Sequence, residues 1–60
     1  LASSVALCHN HPSGNIQPSN EDRNITLKLK TAFETVDIHL IDHLIISGNS
    51  YYSFADEGIL

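Results

Sequence analysis

His9 and His11 stand two positions apart, and Ser19 and Asp22 follow after a short proline-bearing segment. Two imidazoles and a carboxylate form the donor set of a catalytic zinc site, in which three protein ligands leave the fourth tetrahedral position to water or substrate. Zinc held in this way lowers the pKa of its water to about 7 and polarises a substrate carbonyl. His9, His11 and Asp22 are therefore the candidate metal ligands, and hydrolysis at a carbonyl is the chemistry they would serve. Neither part is informative alone. His-x-His arises often by chance, and a single acid at Asp22 reads as a first-turn residue favoured by the helix dipole.

The elements around these residues must bring them together. Val5 to His9 is a short apolar run of strand length, preceded at Leu1 to Ser3 by the expected tail of an earlier helix. Alternate side chains of a strand share a face, so His9 and His11 face one point if the extended backbone persists through Asn10. Pro12, Gly14 and Pro18 make the next segment a loop. Ser19 is placed to cap a helix, with Asp22 at its third position. That helix is expected to run to about Val36, with Ile25, Leu29, Ala32, Phe33 and Val36 on its apolar face. Ile38 to Ile46 reads as a strand apolar on both faces, as in a covered sheet. A turn at Ser47 to Ser50 leads to a second hairpin arm at Tyr51 to Phe54, and Ala55 to Gly58 turn the chain again.

The order strand, loop, helix, strand, strand makes the fold class α/β, with a parallel crossover between the first two strands. Ligands of such sheets collect at the carboxyl ends of strands, close to helix amino ends. His9, His11 and Asp22 all map there.

Composition narrows the function classes. Seven acidic residues oppose three basic ones, giving a net charge of −4 with His neutral. No basic stripe exists to neutralise phosphates, so nucleic-acid binding by this segment is unsupported. No apolar run approaches the roughly 20 residues that span a bilayer, which argues against a membrane partner. The single cysteine, Cys8, can form no internal disulfide and fits a reducing, cytoplasmic setting. A chain this short hides only about 60% of its unfolded surface, so it is expected to need more chain, a metal or a partner. With no initiator Met, it reads as a piece of a longer protein. The sequence neither requires nor excludes an oligomer.

The pattern His9-x-His11, seven residues, Ser19, two residues, Asp22 resembles the downstream part of the JAMM metalloprotease motif with no spacing error. The surrounding His9-Asn-His-Pro-Ser-Gly14, Pro18-Ser19, Thr26, Asp42-His43, Ser53-Phe54 and Gly58 look like the bacterial RadC branch of that family. The resemblance spans nearly all of residues 1–60. It implies the C-terminal portion of a JAMM domain, a three-layer fold of the cytidine-deaminase-like kind. It further implies Zn2+ on His9, His11 and Asp22, a peptide or protein substrate, and Ser19 as the catalytic residue that holds the polarised carbonyl oxygen. Helix capping alone accounts for Ser19 equally well.

The same resemblance requires a general-base glutamate from an earlier strand, which falls before Leu1. Glu21 is about 100° around the helix from Asp22, and Glu34 and Glu57 belong to a helix face and a turn. None substitutes. Residues 1–60 alone are therefore expected to be inactive, lacking a proton acceptor worth about 10²–10⁴-fold in rate. Asp42 and His43 match the family and could form a pair behind the metal ligands, but mid-strand they read as structural; His39 has no motif support, and Cys8 is expected to point away from the metal as a buried, inert thiol. Tyr51, Tyr52 and Phe54 read as hairpin packing. A non-catalytic module for DNA repair or protein interaction is the alternative function. An HNH nuclease fails on spacing, and a zinc deaminase lacks its His-x-Glu and Pro-Cys-x-x-Cys.

Overall fold

The computed structural model describes residues 3–60. Leu1 and Ala2, where a preceding helix was expected to end, lie outside them, and Ser3 already belongs to a strand. The elements are β1 (Ser3–Asn10), α1 (Asn20–Glu34), β2 (Ile38–Ser47) and β3 (Ser50–Ser53). They form one sheet in the order β1-β2-β3, with β1 parallel to β2 and β3 antiparallel to it. The α/β class and the parallel crossover are as the sequence implies.

The start of α1 is fixed by a capping box. Ser19, in extended conformation, accepts from the Asp22 amide through its hydroxyl, and the Asp22 carboxylate accepts from the Ser19 amide. Two amides that the helix leaves unpaired are satisfied reciprocally. At the other end Thr35 closes the helix, and Asp37 takes the left-handed conformation that lets the chain enter β2. Its carbonyl then accepts from the Ser3 amide, tying the helix exit to the start of β1.

A bulge in β2 sets which side chains face α1. Val5 pairs with Leu40 but Ala6 pairs with Asp42, so Ile41 is an extra residue with no partner. One inserted residue reverses the alternation of everything beyond it. Leu40 before the bulge and His43, Ile45 and Ser47 after it are thus buried on one face, while Ile41 and Ile46 are exposed. Val5, Leu7 and His9, paired with Leu40, His43 and Ile45, lie on the same face.

The core under α1 is small: among the described residues Leu40, Ile45 and Phe54 are the buried apolar ones, joined by Thr26 and His43. The helix face differs from the expected one. Thr26 is its buried residue, Leu29 and Phe33 are half-buried, and Ile25 and Val36 stand exposed. Burial here follows the contact with His43 rather than side-chain hydropathy. The sheet's other face is also open where a covered strand was expected, leaving Ile46 and its pair Tyr51 exposed.

Candidate functional site

β1 does not end its ladder at Asn10, because the His11 amide still donates to the Ile46 carbonyl at 3.0 Å. The extended backbone therefore persists through Asn10, and His9 and His11 turn to the same side. Their Nε2 atoms stand 2.9 Å apart. The loop then folds back through a turn in which the Gly14 amide donates to the His11 carbonyl and Gly14 takes a φ of 88°. This delivers the Asn15 carbonyl to His11 Nδ1 at 2.8 Å.

From the first turn of α1, Asp22 reaches the same point. Its Oδ1 lies 3.4 Å from His9 Nε2 and its Oδ2 lies 3.1 Å from His11 Nε2. One donor atom from each of His9, His11 and Asp22 can be chosen so that all lie within 4.8 Å of one another. Burial works to raise the Asp22 pKa, but the hydrogen bonds of Ser19 and the two nearby imidazoles outweigh it, and the net shift is downward. Asp22 thus remains an anionic oxygen donor.

Proton placement decides what the two imidazoles offer. A carbonyl only accepts, so Asn15 fixes the His11 proton on Nδ1 and leaves a lone pair on Nε2. The proton of Thr26 Oγ1 goes to the Asp22 carbonyl at 2.6 Å. Having one proton, the Thr26 hydroxyl must accept from its other neighbour, His43 Nδ1, at 2.5 Å. His43 Nε2 is then an acceptor and receives the proton of His9 Nδ1 at 2.7 Å. His9 Nε2 is left bare as well. Two ring lone pairs and a carboxylate converge, an arrangement that repels itself unless a cation sits among them. With metal–ligand bonds of about 2.0–2.1 Å, a tetrahedral site has ligand–ligand edges of about 3.3 Å. The two Nε2 atoms are 2.9 Å apart and each meets a different oxygen of the Asp22 carboxylate, at 3.4 and 3.1 Å, so with one donor from each residue inside 4.8 Å of the others the residues fit a small divalent ion.

Ser19 caps the helix as expected, and because its oxygen accepts from the Asp22 amide its own proton is not used in that bond. Among the described residues no glutamate joins the cluster. Cys8 points away from it, as alternation requires, but it is exposed rather than buried. Thr26 and His43 enter the sequence reading as matches to the family, His43 with Asp42 as a structural pair or one behind the metal ligands, and the bond between Thr26 and His43 is not foreseen there. A signal for that bond is that Thr26, four residues after Asp22, shares its helix face. Asp42 lies on the opposite side of β2 from His43 and accepts from the His43 and Ala55 amides and from the Ser53 hydroxyl.

The fold and this cluster define an α/β domain with a metal-capable His-His-Asp group at the end of a parallel strand pair. Residues 1–59 match the family described as RadC-like JAB domain, and the chain belongs to that family. It is 57% identical over 58 residues to a UPF0758 protein of Flavobacterium johnsoniae, covering 97% of this chain and 25% of that protein. It is 52% identical over 59 residues to the UPF0758 protein YeeS of Escherichia coli strain K12, covering 98% of this chain and 40% of that protein. A UPF0758 protein of Clostridium kluyveri is 51% identical over 59 residues, with 98% of this chain and 26% of that protein covered. The chain thus spans well under half the length of the curated relatives it matches. Among the described residues no helix is long and apolar enough to cross a membrane.

Proposed function

We propose that this chain is the metal-holding, C-terminal portion of a zinc-dependent peptidase or isopeptidase-type hydrolase domain. The observation that carries the reading is the convergence of three proton-free donor atoms from His9, His11 and Asp22. Zinc, when bound, supplies Lewis-acid activation of a water and of a substrate carbonyl. The chain's own residues do the rest of what is assigned here. Asn15 and His43 hold the two imidazoles in the ligating tautomer, Asp22 keeps its charge, and the Ser19 hydroxyl donates to the carbonyl oxygen as negative charge develops there. The substrate is a peptide or protein amide. The general base is a glutamate from elsewhere in the domain, because Glu21, Glu34 and Glu57 stand outside the cluster. One cysteine in the chain supports a reducing compartment, the cytoplasm.

The test is metal content. The purified protein is expected to carry one zinc per chain, and the His11→Ala variant to carry none while retaining its circular dichroism. Unchanged zinc in that variant rejects the reading. A second reading is a non-catalytic module for DNA repair or protein interaction. It predicts metal binding without amide hydrolysis in a form that includes the preceding strand.

A further inference from the structure

Polar groups in a small core must be accounted for, since an unpaired one costs about 1–3 kcal/mol. Thr26 and His43 are the two such groups at the heart of this core, 1% and 4% exposed. Neither belongs to the His9, His11 and Asp22 cluster. They nevertheless form an unbroken chain that begins on the backbone of one candidate ligand and ends on the ring of another: Asp22 carbonyl, Thr26 hydroxyl, His43 imidazole, His9 Nδ1.

We propose that His43 is a positioning residue, held by Thr26, that fixes His9 in the tautomer whose Nε2 is free to ligate a metal. The inference rests on the metal reading above. The direction of the chain is not arbitrary. Its far end is a carbonyl, which cannot donate, so every proton must point from His9 toward Asp22. Reversing it would strip Thr26 of its bond to the helix and place a proton on His9 Nε2, within 2.9 Å of His11 Nε2. A flip of the His43 ring would present carbon atoms to Thr26 and His9 and forfeit both hydrogen bonds. The ring stacks on Phe54 at a centroid distance of 4.7 Å and an interplanar angle of 19°. The His43 amide is anchored on Asp42 Oδ1 at 2.7 Å. The bulge at Ile41 completes the device, for without the extra residue the alternation of β2 would turn His43 to the opposite face.

Metal-ligating histidines commonly donate their second ring N–H to a carboxylate, carbonyl or water, and removing that partner costs about 10–100-fold in metal affinity. A neutral histidine can serve only if something else holds its own proton on the far nitrogen, and Thr26 does so. This gives Thr26, a residue with no direct line to the metal, a measurable effect on it.

Two measurements test the proposal. Nitrogen-15 NMR of the metal-free protein, recorded above the range in which histidines charge, should find the His9 proton on Nδ1. Competition against a chromophoric chelator should show zinc binding weakened about 10–100-fold in His43→Phe and Thr26→Val. Thr26→Ser, which keeps the hydroxyl, should bind zinc within about twofold of the wild type, separating the proton relay from a packing defect. A His9 proton on Nε2 overturns the proposal, as does equal zinc affinity in Thr26→Val and Thr26→Ser. Failure of the wild-type protein to bind zinc overturns the metal reading and this inference with it. Normal zinc binding with the wrong His9 tautomer overturns this inference alone.

Discussion

Thr26 Oγ1 and His43 Nδ1 meet at 2.5 Å across the interface of α1 and β2, both nearly sealed from water. The contact joins helix and sheet through polar atoms in a core with few apolar residues. Removing one partner strands the other, whereas removing both need not. Thr26→Val should therefore lower the unfolding free energy by about 1–3 kcal/mol, and the double variant Thr26→Val, His43→Leu should regain much of it. Chemical denaturation of the wild type and both variants checks this. An additive loss in the double variant would mean that the two residues contribute separately.

Ser19 carries two roles that substitution can separate. An alanine at the N-cap costs about 0.5–2 kcal/mol of stability, whereas glycine costs only a few tenths. Ser19→Ala should melt at a lower temperature than Ser19→Gly, while in a form that includes the preceding strand both should lose amide hydrolysis to the same degree, about 10²–10³-fold in kcat. If activity instead tracks the melting temperature across the two variants, Ser19 is a cap and nothing more.

Much of this arrangement is legible in the residues themselves. The His9-x-His11 spacing is read correctly because the ladder continues one amide past β1. Ser19 and Asp22 are readable as cap and third helix position because capping depends on local chemistry. The bulge at Ile41 is not readable, since an extra residue in a run of branched side chains leaves no mark on composition, and it alone decides that His43 turns inward. The helix face is misread for a related reason. Thr26 counts as polar in any periodicity, yet it is the residue α1 buries, because a buried imidazole opposite it needs a hydroxyl. Cys8 was expected inside because the sheet was expected to be covered on both sides, and in this chain one side is open.

Acid should weaken the fold partly through Asp42. Burial works against its charged form, but donors from Ser53, Ala55 and His43 outweigh that and hold its pKa below the usual 3.8. A depressed carboxyl pKa stabilises the fold fully above the unfolded value, and the contribution fades as pH falls from about 3.8 through the folded pKa. Asp42→Asn should therefore melt below the wild type near neutral pH, with the difference shrinking as the pH is lowered past that value. Melting curves recorded across this range decide the matter, and a gap independent of pH would show that Asp42 acts through shape alone.

The most direct test of the central claim is cobalt(II) titration of the metal-free protein, because the visible absorption of cobalt reports both its binding and its coordination number. The convergence of His9, His11 and Asp22 predicts saturation at one equivalent, with the intense bands of a four-coordinate ion, and loss of that signal in Asp22→Ala. A spectrum of hydrated six-coordinate cobalt in the wild type, or an unchanged four-coordinate spectrum without Asp22, would contradict it.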